Sequence, residues 1–131
     1  MSVLPPTSQR VQLHTKEEIN KKIQEKTREN INYYKNKSRK QIVARINELD
    51  KEWDIERALE TNASVIIFIS AVLGIITQNI LWIVFIGVIS AFLLEHALQG
   101  WCPPVPIFRR MGIRSSSEID EEKYTLIKII E

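Results

Sequence analysis

Residues 63–98, reading ASVIIFISAVLGIITQNILWIVFIGVISAFLLEHAL, constrain this chain more than any other stretch. Their only ionisable groups are Glu95 and His96, both near the far end. A water-soluble chain of 131 residues has no core large enough to swallow such a run, so a lipid bilayer has to be its solvent. As one α-helix the run would measure roughly 54 Å, nearly twice the hydrocarbon thickness of about 30 Å. Its single polar cluster, Thr77-Gln78-Asn79, divides it, and Asn79 is a good N-cap for a helix that starts at Ile80. Two spans are therefore expected, over about residues 61–77 and 80–98.

Charge gives the direction. Arg45, Lys51 and Arg57 precede the run, Arg109, Arg110 and Arg114 follow it, and the turn between the spans has no charge. Positive residues stay in the cytoplasm, so a hairpin with both termini inside is the expected topology. Trp82 and Trp101 lie nineteen residues apart, roughly 28 Å along a helix, which suits anchors at the two interfaces. Each span also has a four-residue step of small side chains, Ser70 with Gly74 and Gly87 with Ala91. Such steps let helix backbones approach closely in lipid, first within the hairpin and then between copies.

Outside the apolar run the chain is polar. Charged residues make up 26% of it, and its net charge of only +2 gives no reason to expect nucleic acid. The single cysteine excludes an internal disulfide, and no Cys/His set has the spacing of a metal site, so neither metal nor cofactor is expected. Met1 to Gln12 lacks the apolar core of a signal peptide, which leaves the first span as its own insertion signal.

Taken in order, residues 1–14 contain Pro5-Pro6 and read as an extended, mobile tail. Residues 15–60 contain no Gly or Pro and read as cytoplasmic helices with a break near 36–38. Capping boxes open both helices, at Thr15-Lys16-Glu17-Glu18 and at Ser38-Arg39-Lys40-Gln41. Apolar stripes follow, with Ile19, Ile23, Ile31 and Tyr34 on the first helix and Ile42, Ile46, Leu49 and Trp53 on the second. Nothing local stops a helix between Ser38 and Thr77, so the second is free to continue into the membrane. The charged 39–60 segment, centred on Trp53, is the expected docking surface for a cytoplasmic protein partner. After the hairpin (residues 61–101), residues 102–131 read as a proline strap and a final helix. Gly100 and three prolines among residues 103–106 are expected to end the second span in an extended strap. Arg109 and Arg110 anchor the chain at the headgroups. A third capping box, Ser115 to Glu118, opens the amphipathic C-terminal helix with Ile119, Leu126, Ile127 and Ile130 on one side.

The run Glu95-His96-Ala97-Leu98-Gln99-Gly100-Trp101-Cys102-Pro103-Pro104, followed by Arg109-Arg110-Met111-Gly112-Ile113-Arg114, resembles the YgaP-like transmembrane domain family. These are small bacterial inner-membrane hairpins with a Gly-x-Cys-Pro motif after the second helix. The family is largely of unknown function, and one member is the membrane half of an inner-membrane rhodanese, where the hairpin dimerises. The resemblance covers about residues 63–114. It implies a bacterial inner-membrane location and a homo-oligomer. The α/β catalytic domain of a rhodanese has no counterpart here, so sulfur transfer does not carry over.

Three chemistries stay open at this point. Cys102 is the only conceivable nucleophile, and the negative end of the preceding helix opposes its ionisation. Glu95 and His96, near the end of a span, are the candidate intramembrane polar site. The expected fold is an all-α membrane protein: a two-helix transmembrane hairpin, long N-terminal amphipathic cytoplasmic helices and a short C-terminal amphipathic one. The expected function is a non-catalytic membrane anchor or assembly module, oligomeric in the lipid bilayer. A thiol or persulfide relay through Cys102 and a small oligomeric pore are the alternatives.

Overall fold

The computed structural model describes residues 4–131, most of them in helices, with no strand among the described residues. After a 3-10 turn at Thr7–Gln9 come α1 (Arg10–Leu13), α2 (Glu17–Tyr34), α3 (Arg39–Lys51), α4 (Ile55–Thr77), α5 (Ile80–Gln99), α6 (Pro104–Arg110) and α7 (Ser116–Ile130). Two helical stretches are long and apolar enough to cross a membrane, one ending at Thr77 and the other α5. Their most apolar windows have mean hydropathies of 2.0 and 2.1, yet only 11% and 6% of those windows are buried. Phe68, Ile75, Ile83 and Leu94 are all more than half exposed. In water each such side chain would forgo roughly 1.5–3 kcal/mol of burial, so lipid is the solvent this surface fits.

Local chemistry explains where α4 stops and α5 starts. Gln78 takes a left-handed φ of 54° and its N–H reaches the Gly74 carbonyl, closing α4. Asn79 then caps α5 by accepting from the Leu81 N–H at 3.0 Å. The two helices pack along each other from this turn. Ser70 is buried, and a Cβ added to Gly74 would meet the Cβ of Trp82 at 3.3 Å. Gly87 behaves differently, with open space around its Cα, and Ala91 one turn on is exposed. Only the first small-residue step lies in the α4–α5 contact.

The polar helices form a head at the open end of this pair. Its apolar core joins Ile42 and Leu49 of α3 to Ile119 and Leu126 of α7, flanked by Tyr34, Ile46 and Ile130. A second apolar cluster, Val11, Ile55, Leu59, Cys102 and Val105, ties the chain's start and α6 to the base of α4. The break between α2 and α3 and the start of α3 follow the sequence, and the Ser38–Gln41 capping box forms in full. Trp53 leaves the α3 stripe and stands half exposed against the Arg57 guanidinium.

Four expectations need correction. Residues 4–14 are not an extended tail: they fold into the 3-10 turn and α1, because Val11 finds an apolar niche that the local sequence does not reveal. Residues 1–3 of that tail lie outside the described residues. Thr15 caps nothing; its hydroxyl donates to the Val11 carbonyl and Lys16 occupies the N-cap of α2. The prolines do not make a strap but open α6, since a helix's first turn needs no N–H partners and Pro104 supplies a preset φ there. Nor does α3 run into α4. Glu52 turns extended at ψ 132° with both carboxylate oxygens on Arg114, and Asp54 restarts the helix by accepting from the Arg57 N–H.

The two glycines give a test. Gly74→Leu drives a side chain into Trp82 and is expected to cost about 1–3 kcal/mol, read as a lower thermal unfolding midpoint of the detergent-solubilised chain. Gly87→Leu points into open space within the chain and should leave the monomeric chain within about 0.5 kcal/mol of the parent.

Candidate functional site

The sequence singles out the end of α5, where Glu95, His96 and Cys102 fall within eight residues of one another. The structure separates them. His96 is buried and faces the first turn of α4, its Nε2 3.4 Å from a Glu56 carboxylate oxygen. Its Nδ1 is buried without a hydrogen-bond partner among the described residues. Glu95 is exposed and forms no ion pair among the described residues.

A third member arrives from the chain's start. Arg10 places one guanidinium nitrogen 2.6 Å from the other Glu56 oxygen and donates with another to the Ala97 carbonyl at 2.8 Å. That carbonyl belongs to the last turn of α5, where intrahelical donors run out and a cation is favoured. Gly100 makes the approach possible. It ends α5 with a left-handed φ of 82°, its N–H on the His96 carbonyl, and any Cβ there would collide with the Arg10 backbone. The Arg10–Glu56–His96 set thus clasps the starts and ends of the two apolar helices.

Cys102 sits beside this clasp, 4% exposed among Val11, Ile55, Leu59 and Val105. Burial pushes its thiol above the ordinary value, and no cation offsets this. The arginine nearest to it in the sequence is committed elsewhere. Arg109 is fully buried, not an interface anchor: its side chain forks onto both oxygens of Glu118 and donates to Asn20 at 2.9 Å. Arg110 is exposed, and Trp82 and Trp101 are half-buried.

Arg109 belongs to a buried polar network that runs through the head. Arg114 holds Glu52 at 2.7 Å, Glu122 at 2.8 Å and the Thr27 hydroxyl at 3.2 Å. Glu122, with no exposed surface, also accepts from Arg45 at 2.8 Å and from Asn30 at 3.0 Å. Glu118 accepts from the Ser115 N–H at 2.8 Å, the reciprocal half of the expected capping box. Burial pushes the Glu118 and Glu122 carboxyls up, but hydrogen bonds from Arg109 and Ser115, and from Arg45, Asn30 and Arg114, outweigh it and leave both below the ordinary value.

Sequence reasoning missed Arg10, Glu56, Glu52, Arg114 and Glu122 as a set. One signal was present: Glu122 stands between Ile119 and Leu126 on the apolar stripe of α7, where a charge requires a partner. No group of three or more His, Cys, Asp or Glu placed to hold a metal occurs among the described residues. No protein-family model, curated protein or solved structure matches the chain.

Both parts make predictions. Glu122→Ala takes a fully buried acceptor from Arg45, Asn30 and Arg114, while Arg45 keeps Glu48 and Arg114 keeps Glu52, and is expected to cost about 1–3 kcal/mol, measured by thermal unfolding in detergent. Because the Glu118 and Glu122 carboxyls are held below the ordinary value of 4.5, their contribution is whole above that pH and lost as pH falls beneath it. The unfolding midpoint should therefore drop below pH 4.5 in the parent and drop less in the Glu122→Ala variant.

Gly100→Ala should push Arg10 off the end of α5, at a cost of about 1–3 kcal/mol, and open Cys102. Alkylation of Cys102 is expected to be slow in the parent up to alkaline pH and clearly faster in this variant.

Proposed function

We propose that the chain is a non-catalytic integral membrane anchor and assembly module of the bacterial inner membrane. It is a two-span hairpin carrying a folded helical head on the cytoplasmic face, in the manner of the YgaP-like membrane domains it resembles. One observation carries this reading: the charge and the exposed apolar surface are segregated along the structure. No Lys or Arg lies between Arg57 and Arg109, and that interval contains both apolar helices with their side chains turned outward. Every basic residue falls to the ends, which on the positive-inside principle belong together in the cytoplasm.

Self-association fits the step that the α4–α5 contact leaves unused. Gly87 and Ala91 present a small-residue face to the lipid, the surface on which a second copy packs closely. Trp53, half exposed on the head, is the centre of the surface offered to a soluble protein partner. The burial of Cys102 speaks against a thiol relay, and a relay thiol needs an ionised, accessible sulfur. The engagement of His96 by Glu56 likewise leaves Glu95 alone as a polar pore lining.

Topology is the decisive measurement. On a Cys102→Ser background, Gln78→Cys should react with an impermeant maleimide in intact cells, whereas Lys40→Cys should react only after the membrane is opened. The reverse pattern overturns the orientation, and labelling of both in intact cells overturns the membrane reading itself.

A further inference from the structure

A recess in the head, about 860 Å³, runs between α2 and the 110–114 turn that follows α6. Four cations stand around it: Lys16, Lys22, Lys26 and Arg110. None of the four forms an ion pair among the described residues, and all are exposed. Glu18 is the one carboxylate on the same rim without a partner. Behind the rim, the recess is lined by the paired network, where Arg45, Arg109 and Arg114 are matched by Glu52, Glu118 and Glu122. That network is internally balanced, so the surplus of positive charge at the mouth is left uncompensated. In a chain whose net charge is only +2, the surplus is local to this recess.

Arg109 on the same lining is fully buried and already held by Glu118 and Asn20, so the pull on a ligand comes from the rim cations.

We propose that this recess binds a phosphate-bearing anion. Lysine ammonium groups are mobile point charges that converge on a compact group of several anionic oxygens, and here two of them, Lys22 and Lys26, project from successive turns of α2. The same chemistry has two sources, the headgroup of an anionic phospholipid and a phosphate in solution. Trp53 and Met111, 51% and 70% exposed, put apolar surface on the same lining. Trp53 stands just before α4, whose wholly apolar run begins at Ala63, roughly 12 Å along that helix from its start. Both features favour the headgroup, whose attraction to basic residues near the membrane surface is a known source of affinity.

The test uses the full chain in a neutral detergent, titrated with dioctanoyl phosphatidylglycerol, with the phosphatidylcholine of equal chain length, and with inorganic phosphate. The variant Lys22→Gln/Lys26→Gln/Arg110→Gln removes three of the four rim charges without touching any ion pair. A control, Lys35→Gln/Lys40→Gln/Lys128→Gln, removes equal charge at exposed positions elsewhere on the head, and Lys26→Gln alone is a milder probe. Binding should weaken at least about tenfold in the rim variant, measurably in the single change and by less than about twofold in the control. Saturable binding of phosphatidylglycerol over phosphatidylcholine identifies the headgroup, and binding of phosphate alone identifies the soluble source. Absence of binding to either, or equal weakening in the rim variant and the control, overturns the proposal. The phosphate arm needs no bilayer, so its outcome is separate from that of the anchor reading.

Discussion

Arg114 is the point on which the head depends. Its guanidinium holds Glu52 before α4, Thr27 on α2 and Glu122 on α7, and its carbonyl receives the N–H of Ile55. One residue thereby fixes where α3 stops, where α4 begins and how α7 lies against α2. Buried ion pairs add little net stability against well-packed hydrophobic groups, but they penalise any arrangement that leaves one member alone. The head's apolar clusters are small, and they would tolerate several registers of α7 against α2 and α3. The network tolerates one.

That division explains what could be read from the sequence. The break between α2 and α3, the Ser38 cap, the Asn79 cap and the two apolar stretches were legible because each depends on residues a few positions apart. The break at 52–54 was not, because it is held by Arg114, sixty-two positions away. The docking of residues 7–13 was equally hidden, since Val11 and Arg10 find their partners near both ends of the apolar helices. The prolines misled for a different reason. They forbid a helix interior and favour a helix start, and only the packing of Val105 against Ile55 and Leu59 decides between the two.

At the candidate site the sequence located the residues but not their grouping. It marked Glu95, His96 and Cys102 by rarity, a polar residue in an apolar helix and a lone thiol. The structure divides them by face: His96 turns inward to Glu56, Glu95 turns outward, and Cys102 joins an apolar cluster. Facing is set by tertiary contacts, which spacing along a single helix end cannot express. The same holds for Ser70–Gly74 and Gly87–Ala91, alike as patterns yet opposite in what surrounds them.

The clasp at Gly100 has a consequence for how such a chain comes to be made. Arg10 closes on the Ala97 carbonyl and Ser117 on the Ser8 carbonyl, so residues 10 and 8 wait for partners 87 and 109 positions further along before the head can shut. In a bilayer those partners share a compartment only when the chain has crossed an even number of times. A single crossing would leave Glu122 on one side and Arg45 on the other, with neither able to fold. On the proposed hairpin topology, the head can therefore close only in a chain whose two apolar helices have both crossed.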